Sequence, residues 1–220
     1  MKEIYSKIID FFDKKFFVAT FVYLVIAIFA GWLASEFREN DIFAQVDWLS
    51  AQYFLSIRSD VLTVIMESIT FLGDAKFVIV AIVIVLFLLT LRKKHIYSIA
   101  LALATAGVFI TSLLFKDIFS RPRPQGHQLV VESGFSFPSV HAIIAVALYG
   151  MLAYFLVKYF KNKYAKIITG IAGFVIILAI GVSRVYLGVH WPSDVIGSYI
   201  FGGFWLAILI YLLEKRDMIE

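Results

Sequence analysis

The chain has 220 residues, of which 61% are hydrophobic and 16% are charged, and its mean hydropathy is +0.89. Soluble domains contain about 45 to 50% apolar and about 25% charged residues, so this composition excludes an ordinary soluble domain and predicts a protein of the lipid bilayer. The absence of cysteine excludes disulfide frameworks, thiolate metal sites and cysteine nucleophiles. The net charge of +4 does not indicate nucleic-acid binding, because membrane proteins carry extra lysine and arginine in their cytoplasmic loops.

Six apolar stretches predict membrane spans, each of which needs about 20 helical residues. We expect an all-α, polytopic membrane protein with six transmembrane helices at 16–35, 77–91, 96–115, 139–160, 167–185 and 195–213. The connections are short, so one integral-membrane domain is expected over residues 1–220. The exception is the connection between the first two spans, where acidic residues interrupt apolar ones between positions 36 and 74. This pattern predicts an amphipathic helix on the membrane surface.

The basic residues predict how the spans are oriented. Most of the 20 lysines and arginines lie in the two terminal segments, the second-to-third connection and the fourth-to-fifth connection. Because basic residues accumulate on the cytoplasmic side of a membrane, we expect a multi-pass protein of the cell membrane with both termini in the cytoplasm. The remaining connections then face outward.

Three clusters of polar residues lie at the outward ends of the predicted spans. They occupy positions 116–124 after the third span, 137–141 at the start of the fourth, and 183–194 between the fifth and the sixth. Ionisable residues at membrane spans are costly and usually functional. Since all three clusters face the same side, we expect them to converge on one site. The third span is expected to end there, because Pro122 and Pro124 disfavour a helix.

The clusters contain groups that bind a phosphate dianion. Lys116, Arg123 and Arg184 supply three cations, and the two guanidinium groups can each hold two oxygens of an anion. The start of the fourth span supplies uncharged donors, because Pro138 is suited to the first helical position and leaves the next amides unpaired. These donors are the amides of Ser139, Val140 and His141 and the hydroxyl of Ser139.

Two histidines stand beside these donors and are suited to chemistry near neutral pH. Asp194 follows His190 by four residues, and with Pro192 starting a helix its carboxylate can reach back to the imidazole and fix the tautomer. We therefore predict His190 as the nucleophile and His141 as the general acid. The few scattered carboxylates do not predict a two-metal site, so no metal and no cofactor are expected.

Other polar residues have simpler interpretations. Asp117 and Arg121 are four residues apart, which predicts an ion pair on the third helix. His95 lies beside Lys93 and Lys94 and is expected to be structural or solvated, and His127 is expected in a loop.

The clusters together resemble the membrane-bound type 2 phosphatidic acid phosphatase superfamily. Its motifs are Lys, six residues, Arg-Pro; then Pro-Ser-Gly-His; then Ser-Arg, five residues, His, three residues, Asp. The spacing agrees at all three, and the matching residues are Lys116, Arg123, Pro124, Pro138, Ser139, His141, Ser183, Arg184, His190 and Asp194. Val140 departs from the motif's glycine. An amide is still present there, so activity is expected if the position does not need a positive φ.

The resemblance implies a metal-independent phosphatase that forms a phosphohistidine at His190, with His141 protonating the leaving group. It also implies that Lys116, Arg123, Ser139 and Arg184 hold the phosphate, with the amide of Val140 beside them. The family's substrates are lipid phosphates, and the short chain is similar to small bacterial lipid phosphatases. We therefore expect phosphatidylglycerophosphate, phosphatidic acid or undecaprenyl diphosphate as substrate.

Two alternatives use the same residues. A phosphotransferase would pass the phosphoryl group to another lipid rather than to water, and a transporter would bind phosphate or a lipid without cleaving it. No convincing internal repeat of the kind common in transporters is found. The expected partners are the lipid phosphate substrate and membrane lipids, with no nucleic acid and no obligate protein partner.

Overall fold

The computed structural model describes residues 16–18, 20–25, 42–126 and 128–217. Within these ranges the chain is helical and contains no strand. A short apolar helical segment at 16–25 comes first. Seven helices follow it: α1 (Ile42–Ser56), α2 (Asp60–Phe71), α3 (Ala75–Leu91), α4 (His95–Phe119), α5 (Val140–Tyr159), α6 (Lys163–Tyr186) and α7 (Pro192–Asp217).

Four of these helices, α4 to α7, are long and apolar enough to cross a membrane. They correspond to the last four predicted spans and agree with them within four residues at each end. Helices α2 and α3 satisfy the same test only as a pair, which is bent by 42°. The described residues therefore contain four candidate spans, or five if the bent pair crosses as one. Multi-pass membrane topology follows from these helices.

The segment before α4 differs from its prediction. The predicted second span coincides with α3, whose 17 residues are too few to satisfy the test alone. The single surface helix expected between positions 36 and 74 is replaced, from residue 42 onward, by the two helices α1 and α2. They separate at Ser59, whose backbone is extended. The Ser59 hydroxyl caps α2 by accepting a hydrogen bond from the Leu62 amide at 3.3 Å. Most of the predicted first span lies outside the described residues.

Helix α5 forms the centre of the bundle and packs against α4, α6 and α7. Its first half is almost completely buried, with Ile143, Leu148 and Met151 inaccessible to solvent. Helix α6 is different, because its middle exposes large apolar side chains such as Phe174 and Val175, while its last turns are buried. Exposed apolar faces of this kind suit contact with lipid tails.

Hydrogen bonds attach the α1–α2 turn to the end of α6. Arg58 donates to the backbone oxygen of Tyr186 at 2.7 Å, and the Tyr186 hydroxyl is 2.9 Å from the hydroxyl of Thr63. The α2–α3 turn is attached to the bundle by Tyr149, whose hydroxyl donates to the Leu72 oxygen at 2.7 Å. These contacts place α1 and α2 over the end of the bundle at which α4 and α6 end and α5 and α7 begin, called here the site end.

Close packing of α6 against α7 requires a glycine at position 181. A β-carbon there would lie 1.9 Å from the Tyr199 hydroxyl and 2.4 Å from Val195. That hydroxyl already donates to the oxygens of Ile177 at 2.9 Å and Leu178 at 3.2 Å. Tyr199 is therefore held by these hydrogen bonds at the position that the methyl group of an alanine at position 181 would occupy.

We expect Gly181→Ala to lower the thermal stability of the purified protein in detergent. Overpacking a tight contact costs about 1 to 3 kcal/mol, which for a chain of this size is roughly 2 °C or more in Tm. The control is Gly170→Ala in the same helix, because a β-carbon at Gly170 meets nothing within 4 Å. Equal Tm values for the two variants would contradict this account of the contact.

Candidate active site

The three polar clusters meet at the site end of the bundle. One nitrogen of Arg123 lies 3.3 Å from Nε2 of His190, and Arg123 and Arg184 both approach the carboxylate of Glu132. His141 is close enough to interact electrostatically with Lys116, Arg123, Arg184 and His190. These five residues, all predicted to share one site, are therefore neighbours in the fold.

The hydrogen bonds that orient Arg123 go to backbone oxygens, and its nearest carboxylate is farther away. Its side chain is buried and donates to the oxygens of Val189 at 2.8 Å, Gly134 at 3.0 Å and Ser133 at 3.1 Å. These carbonyls belong to the α4–α5 loop and to the segment just before His190. Backbone oxygens orient the guanidinium without neutralising it, so its positive charge stays available to an anion.

Arg184 and Arg123 share one carboxylate. Arg184 is 2% exposed, donates to the Thr70 hydroxyl at 2.9 Å and pairs with one oxygen of Glu132. The other Glu132 oxygen lies 3.8 Å from Arg123. Nε of Arg184 is buried and has no hydrogen-bond partner among the described residues. The two guanidinium groups therefore converge on a single anion position, with a donor still unused.

Lys116 projects from the last turn of α4 toward the same loop. Its ammonium group lies 2.5 Å from the backbone oxygen of Phe135, and the side chain is partly exposed. The charges of Arg123, Glu132 and Arg184 all reach it. Lys116 therefore adds a third positive charge at the accessible edge of the site.

The start of α5 differs from the prediction. Pro138 is not the first helical residue; α5 begins at Val140, and Ser139 is its N-cap, with a side-chain oxygen that accepts from the Ala142 amide at 3.4 Å. Serine is a preferred N-cap because its oxygen satisfies a first-turn amide. The Ser139 amide is not unpaired either, since it donates to the Ser198 hydroxyl at 2.8 Å.

Two of the three expected amides remain at the helix N-terminus. The amides of Val140 and His141 occupy the first turn, where a helix offers no internal acceptor. Val140 is not among the residues with positive φ, so the backbone at this position does not need glycine. The valine therefore supplies the same amide that the family's glycine would supply.

His141 lies between the cationic residues and the α2–α3 turn. Its side chain is partly buried and packs against Gly73, where a β-carbon would come within 3.2 Å of the imidazole. The turn therefore approaches His141 as closely as it does because residue 73 has no side chain.

His190 is almost fully buried and lies between Arg123 and Asp194. Nδ1 is 3.6 Å from Oδ2 of Asp194, longer than a hydrogen bond, and has no hydrogen-bond partner among the described residues. Burial lowers the pKa of His190 to about 4, against the opposing effect of Asp194. The imidazole is therefore neutral at pH 7, with Nε2 directed toward Arg123.

Asp194 is fully buried and contacts two groups besides His190. One oxygen accepts from the Trp191 amide at 2.9 Å, as the third residue of a helix does in a capping box, and the other pairs with Arg121. The predicted Asp117–Arg121 ion pair is therefore wrong. Helix α4 ends at Phe119 and Ser120 is left-handed, with φ of 42°, so Arg121 turns away from the helix.

Sequence reasoning missed the roles of Asp47, Thr70 and Glu132. Asp47 in α1 is buried and pairs with Arg121 at 2.6 Å. In the sequence, Asp47 and Thr70 stand among apolar residues with no motif around them, and Glu132 is one carboxylate in a loop. Nothing local marks them, because Asp47 pairs with Arg121, Thr70 with Arg184, and Glu132 most closely with Arg184, each more than 50 residues away. His95 begins α4 at the opposite end of that helix, and His127 is outside the described residues.

A family model of the PAP2 superfamily matches residues 93–218. The chain belongs to the PAP2 superfamily. It is 36% identical over 185 residues to phosphatidylglycerophosphatase B of Bacillus subtilis, covering 83% of this chain and 88% of the relative. It is also 31% identical over 170 residues to undecaprenyl-diphosphatase BcrC of the same organism, covering 74% of this chain and 78% of that one.

A solved structure has the same fold. It is the crystal structure of a transmembrane PAP2-type phosphatidylglycerolphosphate phosphatase from Bacillus subtilis, with a TM-score of 0.77 and 30% identity. The alignment covers 90% of this chain and 96% of that chain. The family resemblance seen in the three motifs is confirmed, and the matched residues 93–218 include all three clusters but neither α1 nor α2.

We expect Glu132→Gln to bind inorganic phosphate several-fold more tightly. The Glu132 carboxylate occupies the position on which Arg123 and Arg184 converge, so a phosphate ion must compete with it. Isothermal titration of the detergent-solubilised protein with phosphate measures the change. Glu67→Gln, on an exposed position of α2, is the matched control. Weaker binding by Glu132→Gln would show that Glu132 orients the arginines for phosphate instead of competing with it.

Proposed function

We propose that the protein is an integral-membrane lipid phosphate phosphatase that works through a phosphohistidine at His190. The observation that carries this proposal is the arrangement at the site end, where two buried arginines converge on one anion position beside a neutral imidazole backed by Asp194. An oxyanion donor set next to an unprotonated nucleophile is what phosphoryl transfer to nitrogen requires. The names of the two curated relatives support a lipid phosphate as substrate.

The first step is attack by Nε2 of His190 on phosphorus. Nδ1 faces Asp194, so Nε2 is the nitrogen that faces Arg123 and the anion position. A nitrogen–phosphorus bond forms while the bond from phosphorus to the lipid oxygen breaks. The positive charge that develops on the imidazole is stabilised by the Asp194 carboxylate. Arg123 and Arg184 hold the phosphoryl oxygens throughout.

Proton transfer to the lipid oxygen is assigned to His141. It stands at the start of α5, within the field of the same cations, and lies opposite the α2–α3 turn. The leaving group is a lipid alcohol when the substrate is a phosphomonoester and a lipid monophosphate when it is undecaprenyl diphosphate. After it leaves, a water molecule attacks the phosphohistidine, and His141 accepts its proton. The nitrogen–phosphorus bond then breaks, inorganic phosphate is released, and His190 returns to the neutral state.

The substrate is proposed to be phosphatidylglycerophosphate, phosphatidic acid or undecaprenyl diphosphate. Phosphatidylglycerophosphate is supported by the 36% identical relative, and undecaprenyl diphosphate by the 31% identical one. A site at the ends of apolar helices suits a lipid, because the phosphate reaches the cationic cluster while the tails lie along exposed faces such as that of α6. The distribution of basic residues supports an active site on the outer face with both termini in the cytoplasm.

No metal is proposed for the reaction. The buried carboxylates Asp47 and Asp194 pair with Arg121, and Glu132 pairs with Arg184. Each carboxylate near the site is thus already matched by a guanidinium group. The three cations at the phosphate position supply the charge stabilisation that a metal would otherwise provide.

We expect purified protein in detergent with EDTA to release inorganic phosphate from at least one of the three lipids. His190→Ala should abolish release, because the proposed phosphohistidine cannot form without the His190 imidazole. Lys94→Ala, exposed at the opposite end of α4, is the control and should retain full activity. Measuring phosphate from all three lipids also ranks the substrates.

Several results would overturn this proposal. Full turnover by folded His190→Ala would exclude the phosphohistidine, and activity restored by Mg²⁺ after EDTA treatment would exclude the metal-independent reaction. Phosphate-dependent flux in liposomes without phosphate release would indicate a transporter. Radiolabel that moves from one lipid to another, rather than into solution, would indicate a phosphotransferase.

The general-acid role of His141 predicts a loss that depends on the leaving group. His141→Ala should slow hydrolysis of a lipid phosphate by about 10² to 10⁴-fold. A p-nitrophenyl phosphate ester should lose much less, because its leaving oxygen needs no proton. The ratio of kcat values of variant and native protein on the two substrates measures this difference. An equal loss on both would show that His141 does not protonate the leaving group.

A further inference from the structure

Asp47 is a buried carboxylate far from the family's motifs in sequence and close to them in space. It is 3% exposed, and its oxygens accept from the Ser193 amide at 2.9 Å, the Ser193 hydroxyl at 2.5 Å and Arg121 at 2.6 Å. Helix α1, which carries it, precedes the residues 93–218 that match the family model. A residue outside that region therefore touches the first turn of α7, where Asp194 lies.

Arg121 bridges Asp47 and Asp194. One nitrogen of its guanidinium pairs with Asp194, and the other pairs with Asp47. Although burial opposes its charge, Asp194 and Asp47 together raise the pKa of Arg121 above the usual value. Two buried carboxylates and one partly exposed guanidinium leave a net charge of about −1 at this point of the site.

This sharing of charge matters to His190. Asp194 turns one oxygen toward Arg121, while the other accepts from the Trp191 amide and faces the imidazole at 3.6 Å. If Arg121 had no second carboxylate, its positive charge would be balanced by Asp194 alone. The negative field at His190 would then be largely cancelled.

We propose that Asp47 is a positioning residue of the reaction, which acts through Arg121 and Ser193 to keep the charge of Asp194 available to His190. Its carboxylate pairs with one of the two terminal nitrogens of the Arg121 guanidinium, so that Asp194 does not balance that charge alone. It also accepts hydrogen bonds from the amide and the hydroxyl of Ser193, the residue before Asp194. This inference rests on the proposed function for its effect on turnover, but its effect on the imidazole is independent of turnover.

The charged groups around His190 determine whether loss of the Asp47 charge raises or lowers the pKa of His190. Asp194 from α7 is the carboxylate nearest to it, while the remaining neighbours are mostly cationic or are paired with cations. They are Arg123 from the α4–α5 loop, Arg184 from α6, His141 from α5, Lys116 from α4 and the Glu132 carboxylate between the arginines. Loss of one negative charge behind Asp194 leaves the imidazolium less stabilised, so the pKa of His190 falls.

We expect Asp47→Asn to lower kcat about tenfold and to leave KM within about twofold, because Asp47 does not touch the phosphate position. This loss is smaller than the roughly 10⁴-fold loss that follows neutralisation of the acid in a serine-protease triad, because Asp194 itself stays ionised. The acid limb of the kcat/KM profile should move to lower pH, since His190 must be neutral to attack. Asp47→Glu, which keeps the charge, should restore the acid limb, and Glu67→Gln is the control.

An NMR titration tests the proposal without turnover. The chain contains four histidines, so ¹⁵N-histidine labelling gives few signals, and His190→Ala identifies the one of interest. Its midpoint should lie at lower pH in Asp47→Asn than in the native protein or Glu67→Gln. An unchanged midpoint would overturn the proposal even if the lipid assays succeed. A shifted midpoint supports it even if none of the lipids tested releases phosphate.

A double-mutant cycle separates this role from simple stabilisation. In an Arg121→Gln background there is no cation left for Asp47 to neutralise, so adding Asp47→Asn should lower the His190 midpoint and kcat clearly less than it does in the native protein. The single variant keeps the Arg121–Asp194 pair, whereas the double variant leaves the buried Asp194 carboxylate without that cation, so circular dichroism must show each variant folded before its data enter the cycle. Additive losses in the cycle would show that Asp47 acts independently of Arg121 and would overturn the proposal.

Discussion

The pairing of buried charges at one end of the bundle is the constraint on which the rest of the structure depends. Arg184 is paired with Glu132, and Arg121 lies between Asp47 and Asp194. A buried charge without a partner costs several kcal/mol, so these groups must meet for the fold to form. Their partners lie in α1, α6, α7 and the α4–α5 loop, and pairing them therefore fixes how these elements meet at the site end.

A few buried polar atoms are outside this pairing, and two of them belong to site residues. Nδ1 of His190 and Nε of Arg184 are buried with no hydrogen-bond partner among the described residues. Buried polar atoms of this kind destabilise a protein, by about 1 to 3 kcal/mol each. Arg123 differs, because backbone oxygens satisfy its donors without cancelling its charge. Arg184 thus combines charge pairing with the proposed anion binding, while the charge of Arg123 is left for the anion.

The apolar helices contribute to the chemistry indirectly. The buried half of α5 and the last turns of α6 exclude water from one side of the site, which strengthens every electrostatic interaction there. The same exclusion favours the neutral form of His190, which the proposed nucleophilic role requires. The exposed apolar side chains in the middle of α6 offer lipid tails a surface. Membrane insertion and catalysis therefore use the same set of helices.

The sequence by itself determined the membrane class, the last four spans and the family, because hydrophobic runs and motif spacing are local properties of the chain. It also predicted one site that contains His190, Asp194, Arg123 and Arg184, because the loops that carry them face the same side of the membrane. Only the tertiary structure decided that Arg121 pairs with Asp47 rather than with Asp117, and that Glu132 lies between the arginines. Those contacts join residues 52 to 74 positions apart or depend on how a loop turns after α4, and no sequence period records such distances.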